Sequence, residues 1–228
     1  MRAREPDEQG YVDRDGVKIA YESFGDGDIT VLFWPVDVIV HSRVWKAQVP
    51  FLARHFRVVT IDPRGNGRSD RPSDTAAYGD LEYVGDTIAV MDHLGIDRAV
   101  MVGICYSAWL ALICAAMHPD RLLGVVAIAP SVLDGTPPLE PKREPAARFD
   151  EELPSYEGWF KYNRHYWLED WPDFVEFFFG QLCSTPHSTK LLEDAVGWAL
   201  EGGGMQQLAA QDAPEYATTV EQTEQVLR

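Results

Sequence analysis

Four short apolar runs, each bounded by turn residues, alternate with segments of helical spacing in the first 130 residues of the chain. The runs are residues 30–34, 58–61, 99–104 and 125–129. Runs of this kind are typical of strands that a sheet buries on both faces. Their alternation with helices predicts an α/β fold, with a mostly parallel sheet and helices on both faces of that sheet.

Three segments between these runs have the spacing or the composition of helices: residues 45–55, 81–94 and 106–117. In the second segment, Val84, Ile88 and Met91 fall on one face of a helix. The third segment is nearly all apolar, which predicts a buried helix. Near the start of the chain, Asp15-Gly16 separates two strand-like segments and predicts a hairpin.

The character of the chain changes after Pro130. Residues 135–154 are rich in proline and charge and predict a loop. From Tyr156 onward the sequence has the pattern of helices without strands. We therefore assign residues 1–135 to an α/β core and residues 136–228 to a helical segment.

The 228-residue chain carries 20 Lys and Arg against 36 Asp and Glu, a formal net charge of −16. This length favours one domain, or one domain with an insertion. We expect no nucleic-acid partner and no anionic membrane partner, since both require clustered basic residues. Residues 1–10 are polar and lack the apolar segment of a signal peptide, and no apolar run of about 18 residues predicts a membrane span. We therefore expect a cytoplasmic protein.

The cysteines of the chain are few and scattered. They are Cys105, Cys114 and Cys183, and no CxxC pair occurs. Neither a disulfide framework nor a structural zinc site is predicted from this spacing, and no metal or organic cofactor is implied.

Cys105 stands between small residues at a predicted strand-to-helix turn. Such a turn raises its middle residue above the sheet and needs small neighbours, which Gly103 and Ser107 supply. A thiol at the N-terminus of a helix has its pKa lowered by the helix dipole, so the pattern predicts a nucleophile. The alternative interpretation is that Cys105 is a small buried hydrophobic residue.

A second motif, residues 62–70, directly follows the run at 58–61. Its two glycines after a strand resemble a dinucleotide-binding fingerprint, but Asp70 stands where the third glycine would be. The pattern instead predicts a tight, glycine-dependent turn that Asp62 and Arg64 hold in place.

Together these motifs resemble the α/β-hydrolase superfamily. The motifs that carry the resemblance are the turn at 62–69, the helix around Asp86, the elbow at 103–107 and His118-Pro119-Asp120-Arg121. The resemblance covers about residues 11–130. It implies a parallel-sheet hydrolase fold in which residues 136–228 form a helical cap inserted after the sixth strand.

The resemblance also implies roles for individual residues. Cys105 occupies the position of the nucleophile, which is usually serine in the family. A cysteine at this position resembles the elbow of dienelactone-hydrolase-type members. The oxyanion hole would be formed by the backbone N–H groups of Tyr106 and Val36. The family's His-Gly motif after the third strand corresponds to Trp34-Pro35 in this sequence. Because Pro35 has no N–H to donate, Val36 is the residue expected to supply the second oxyanion donor.

The family's catalytic acid and base follow the nucleophile, on loops after the last two strands. Here no strand-like segment follows residue 136, and the last histidine is His187. We therefore expect an incomplete core that lacks the last two strands, from a truncated or frameshifted product or a fragment completed by another chain. The unpaired apolar edge at 125–129 would favour self-association.

Substitute catalytic groups are His41, which follows Val36 on a loop, and Asp134, which follows the sixth strand. A minority of the family places its catalytic acid after the sixth strand, where Asp134 stands. His165 and His187 lie in the cap segment and are further candidates for a base. A solvated or loop-stabilising role for Asp134 is the alternative.

The cap segment is rich in aromatic residues, with eleven of the chain's 26 between positions 156 and 179. We expect Trp159, Tyr162 and Trp167, together with Trp34 of the core, to line a pocket for an apolar group. The alternative is that these rings only pack helix against helix. Residues 177–179 are three consecutive phenylalanines, which cannot all face one side of a helix.

The leading functional hypothesis is hydrolysis of a small apolar ester, lactone or similar bond through an acyl-Cys105 intermediate. The competing hypothesis is a catalytically incomplete pseudoenzyme, or a module that binds a small molecule, because the expected catalytic histidine and acid are absent. A third hypothesis is that the chain does not fold stably alone.

Overall fold

The strands form one mixed sheet. The computed structural model describes residues 4–34, 37–131, 138, 140–183, 185, 187 and 189–228. Within them the strands are β1 Glu8–Arg14, β2 Val17–Phe24, β3 Thr30–Phe33, β4 Arg57–Ile61, β5 Ala99–Ile104 and β6 Leu122–Ile128. Their order across the sheet is β1-β2-β4-β3-β5-β6. The hairpin of β1 and β2 joins antiparallel to β4, and β4, β3, β5 and β6 run parallel.

Helices cover the sheet and form the second half of the described chain. They are α1 Val49–Leu52, α2 Asp80–His93, α3 Tyr106–Met117, α4 Arg143–Ala147, α5 Arg164–Glu169, α6 Trp171–Leu182, α7 Thr189–Glu201, α8 Gly204–Gln211 and α9 Val220–Val226. No helix among the described residues is both long enough and apolar enough to cross a membrane.

Alternate residues of the parallel strands belong to two different cores. Leu32 and Val59 pack with α2 and α3, whereas their neighbours Val31 and Val58 pack with Val49 of α1. Since successive side chains of a strand point to opposite faces, the sheet has helices on both faces, as the sequence predicted.

The helical segment has a core of its own. Trp167, Phe174 and Trp198 pack there with Ile39 and Val40, which belong to the loop after β3. That loop therefore ties the helical segment to the sheet.

The predicted elements differ from the structure at three places. One is the segment 135–154, which was predicted as a loop and contains the five-residue helix α4. Strand β1 begins at Glu8, so it includes the last three residues of the polar segment 1–10, which the sequence did not predict to be a strand. The helix predicted over 45–55 is instead a 3-10 turn at Ser42–Trp45 followed by the four-residue α1. Pro50 explains the difference, because proline has no N–H and fits an α-helix only in its first turn.

Strand β6 is one of the two edge strands of the sheet, and no further strand follows it along the described residues. Leu123, Val126 and Ile128 are exposed on it. An apolar edge strand is a template for pairing with another chain. The self-association expected from the sequence stays a prediction.

The turn after β4 is held by buried hydrogen bonds, as predicted. The Asp62 carboxylate accepts from the backbone N–H groups of Ser42 and Arg68 and from the Ser42 hydroxyl. Ser69 Oγ donates to the Asp62 carbonyl. Gly65 has φ +96°, a conformation that glycine adopts without strain.

Arg64 extends from this turn into the core. Its side chain is 2% exposed and donates two hydrogen bonds to Asp86 on α2, with N···O distances of 2.8 and 2.6 Å. Arg14 of β1 also donates to Asp86. The Arg64–Asp86 pair therefore connects the turn to α2 in a buried environment.

We expect Asp86→Ala to lower the free energy of unfolding by about 3–5 kcal/mol, because it removes the carboxylate that accepts two hydrogen bonds from the buried Arg64 guanidinium and leaves Glu82, at 3.5 Å, as its charge partner. Asp92→Ala is the matched control on the same helix, since Asp92 is 63% exposed in its pair with Arg121. That change should cost about 0–1 kcal/mol. Urea denaturation measures both, and equal losses would contradict this account of the turn.

Candidate active site

Cys105 lies in a strained turn between β5 and α3. Its backbone has φ 58° and ψ −122°, in a region that non-glycine residues rarely occupy. Strain of this kind persists only where the surrounding structure enforces it, and it is common at functional sites. The sharp strand-to-helix turn predicted from the sequence is therefore present, with Cys105 at its apex.

Small neighbours make this turn sterically possible. A Cβ atom on Gly103 would lie 2.4 Å from the carbonyl oxygen of Ser107, so no larger residue fits at position 103. The Ser107 hydroxyl accepts from the backbone N–H of Ile104 and donates to its carbonyl. Gly103 and Ser107 therefore lie on either side of the turn, and both are in contact with its backbone.

The environment of the Cys105 thiol favours its neutral form. Burial raises the thiol pKa above the ordinary value of 9.0, and the carboxylate of Asp37 raises it further. The backbone N–H of Tyr106 donates to the sulfur and lowers this pKa, by less than burial raises it but by more than Asp37 does, and Lys142 lowers it by a smaller amount. The expectation that the helix N-terminus lowers this pKa is wrong in its net direction, because desolvation outweighs the helix end.

A cavity of about 560 Å³ opens beside Cys105, between the sheet and the helical segment. Its aromatic wall consists of Trp159, Tyr162, Trp167, Phe174 and Phe178. Three of these five rings were predicted from the sequence as pocket residues. The volume is in the range typical of sites for small organic molecules.

The three consecutive phenylalanines of α6 point in different directions. Phe178 faces the cavity, Phe179 is buried in the core of the helical segment, and Phe177 packs edge-to-face against Trp159 at 5.3 Å between ring centroids. The aromatic residues of this segment therefore serve both as a pocket wall and as packing.

The cavity lining also contains polar groups, among them the carboxyl groups of Asp37 and Asp80. Asp37 accepts hydrogen bonds from the backbone N–H of Val38 and from Gln207 Nε2, and burial raises its pKa. Asp80 accepts from the hydroxyl of Tyr106 and from the backbone N–H of Tyr216. The sequence analysis missed both acids.

Tyr162 belongs to the aromatic wall, and its pKa is affected by the charged groups of the polar lining. Burial, together with the charges of Asp37 and Cys105, raises its pKa to about 12, so its hydroxyl stays protonated at neutral pH. The Tyr162 hydroxyl donates to Gln211 Oε1, which also lines the cavity.

Two residues predicted at the site lie elsewhere. Trp34 is 3% exposed at the end of β3 and lines a separate cavity of about 30 Å³ with Tyr83 and Ser107, not the larger one. His41 is also buried. Its Nδ1 accepts from Arg43 N–H, and its Nε2 lies 3.4 Å from a carboxylate oxygen of Glu201 on α7.

None of the histidines among the described residues lines the cavity. His165 Nε2 lies 3.1 Å from the carbonyl oxygen of Asp150, on the outer side of the helical segment. Val36 and Asp134, the second oxyanion donor and the acid proposed from the sequence, lie outside the described residues. The structure therefore places Cys105 and Tyr106 at the cavity without a described histidine as base.

Several cavity residues could not be found from the sequence. They are Lys142, Gln207 and Glu215. Each comes from a different part of the helical segment, and no motif surrounds it. Asp37 had a weak signal, because it follows the loop position at which the family forms its oxyanion hole. Among the described residues, no group of three His, Cys, Asp or Glu side chains is arranged to hold a metal ion.

The chain belongs to the α/β hydrolase fold family. The sequence model of that family matches residues 39–171, more than half of the chain. Epoxide hydrolase B of Mycobacterium tuberculosis is 41% identical over 101 residues, which are 42% of this chain and 28% of that protein. The bifunctional esterase/perhydrolase DCH of Acinetobacter calcoaceticus is 34% identical over 141 residues, 59% of this chain and 48% of that protein.

Solved structures of similar fold include two hydrolases. The esterase RhEst1 from Rhodococcus sp. ECU1013 superposes with a TM-score of 0.69 at 20% identity, covering 91% of this chain and 73% of that one. The enol-lactonase from Burkholderia xenovorans LB400 gives a TM-score of 0.66 at 20% identity, covering 95% and 86%. At this identity the likeness shows the fold alone. The chain spans less than half the length of the curated relatives it matches.

We expect alkylation of Cys105 by iodoacetamide to keep accelerating above pH 9.0, because burial and Asp37 raise the thiol pKa and only the thiolate reacts. Asp37→Asn removes a negative charge and should speed alkylation at pH 8, whereas Lys142→Met should slow it. Peptide mapping separates Cys105 from Cys114 and Cys183. A plateau below pH 8, or the same response to both variants, would contradict the assigned electrostatics.

Proposed function

We propose that the chain catalyses acyl transfer from a small apolar ester or lactone to Cys105. The sulfur attacks the carbonyl carbon, and a C–S bond forms as the bond to the leaving alcohol breaks. The thiol proton leaves with the alcohol, and the product is a thioester on Cys105. Water then hydrolyses the thioester to release the acid and restore the thiol.

The strained elbow is the observation that carries this proposal. Cys105, whose backbone has φ 58° at the end of a parallel strand, is exposed, while Gly103 and Ser107 on either side of the turn are buried. The Tyr106 N–H beside the sulfur supports the proposal, because a backbone donor next to the nucleophile suits negative charge that develops on a carbonyl oxygen. The aromatic wall would hold the apolar part of the substrate.

The similar proteins carry two kinds of name. Esterase and lactonase names agree with attack on a carbonyl, whereas epoxide hydrolase names indicate opening of a strained ring. We favour the carbonyl, because a backbone N–H next to the nucleophile suits an oxyanion.

A binding module without turnover is the second candidate function. Two features favour it: no described histidine lines the cavity, and burial raises the pKa of the Cys105 thiol. In this case the cavity would bind an apolar molecule without breaking a bond.

The two candidates differ in the release of p-nitrophenol from p-nitrophenyl butyrate. Acyl transfer predicts a burst of about one equivalent per chain followed by very slow turnover, since no histidine among the described residues lines the cavity to accept a proton in deacylation. Cys105→Ala should abolish the burst, and Cys183→Ala, which changes a cysteine outside the cavity, should leave it intact.

Sustained release at the same rate in the Cys105→Ala variant would exclude the cysteine mechanism. Absence of a burst in a chain that melts cooperatively would favour the binding module. Thermal unfolding followed by circular dichroism provides that control and also tests whether the chain folds stably alone.

A further inference from the structure

Three carboxyl groups line the cavity without a cation beside them. They belong to Asp37, Asp80 and Glu215. Among the described residues, no nitrogen of Lys, Arg or His lies within 4.0 Å of any of them. Asp37 and Asp80 accept only from amide N–H groups and a tyrosine hydroxyl. Glu215 is exposed, and partial burial together with the charge of Asp80 raises its pKa. Asp80 is 2% exposed, and a buried carboxylate is ordinarily paired with a positive charge.

Gln207 provides a second, independent observation. The residue is 8% exposed, it lines the cavity, and its Oε1 has no hydrogen-bond donor among the described residues. The amide nitrogen of the same side chain donates to Asp37 at 3.3 Å. A buried acceptor without a donor is unfavourable, so a ligand with an N–H group would satisfy it directly beside the Asp37 carboxylate.

The aromatic wall is also suited to positive charge. Lys142 places its ammonium group 4.1 Å from the centre of the Trp159 ring. An ammonium over the face of a tryptophan is attracted by the negative face of the ring. Lys142 is the single cationic side chain in the described lining, against three carboxyl groups.

We propose that this cavity selects molecules in which a protonated amine is joined to an apolar group. The amine lies among Asp37, Asp80, Glu215 and the Gln207 Oε1, and the apolar group lies against the aromatic rings of the wall. The identity of the substrate rests on the proposed function. If Cys105 accepts an acyl group, the substrate is an amino ester or amino lactone whose carbonyl reaches Cys105. Carboxylates are disfavoured by repulsion, so an acid released in the cavity is expelled.

The test uses three probes with the same ring and chain length but different charge: phenethylammonium, 2-phenylethanol and phenylacetate. None has a bond that Cys105 can break, so the result is independent of whether acyl transfer occurs. Binding to the full 228-residue chain is measured at pH 7 by ligand-observed NMR. We expect phenethylammonium to bind at least about tenfold more tightly than 2-phenylethanol, and phenylacetate to bind most weakly.

Glu215→Gln is the variant that tests the assigned carboxylates. Glu215 is exposed, and the substitution keeps its size, so the fold should be preserved. It should weaken phenethylammonium binding and leave 2-phenylethanol unchanged. Glu221→Gln, a matched change on α9 outside the cavity, should alter neither.

A second variant addresses the amide. Gln207→Met removes the buried acceptor and should reduce the preference for phenethylammonium over its trimethylated analogue, which has no N–H to donate. Equal binding of phenethylammonium and 2-phenylethanol, stronger binding of phenylacetate, or the same loss in Glu215→Gln and Glu221→Gln would overturn the proposal.

Discussion

The left-handed backbone at Cys105 is the constraint from which the geometry of the site follows. This conformation is unfavourable for a residue with a side chain, and it is maintained by the absence of a Cβ at Gly103 and by the Ser107 hydroxyl bonded to Ile104. It raises the sulfur from the end of β5 to the cavity and directs the Tyr106 N–H toward it. The proposed nucleophile and the proposed oxyanion donor are thus both positioned by one local turn.

The turn after β4 positions the other side of the cavity. Asn66 Nδ2 donates to the carbonyl of Val38, the residue after Asp37, and the Asp62 carboxylate holds Ser42 on the same loop. The position of Asp37 therefore depends on hydrogen bonds to the turn after β4, which are made outside the cavity. The negative charge of Asp37 adds to the effect of burial in raising the pKa of Cys105. The same carboxylate is part of the proposed site for a cationic ligand.

Features set by local pattern could be predicted from the sequence. Strand β5 and helix α3 have the predicted bounds, and the elbow between them has the predicted form, because small residues, apolar runs and periodicity determine it within a dozen positions. The lining could not be predicted in the same way. Asp37 and Gln207 are 170 positions apart and meet only in the folded chain. The pKa of Cys105 was predicted in the wrong direction because the sequence shows the helix end but not the burial.

Intact-mass spectrometry of the chain after mixing with p-nitrophenyl butyrate tests the central claim most directly, since it detects the covalent bond itself. The account predicts one butyryl group per chain, located by peptide mapping on Cys105 and absent from Cys105→Ala. A chain that remains unmodified while cooperatively folded, or a butyryl group at the same level in the variant, would contradict it.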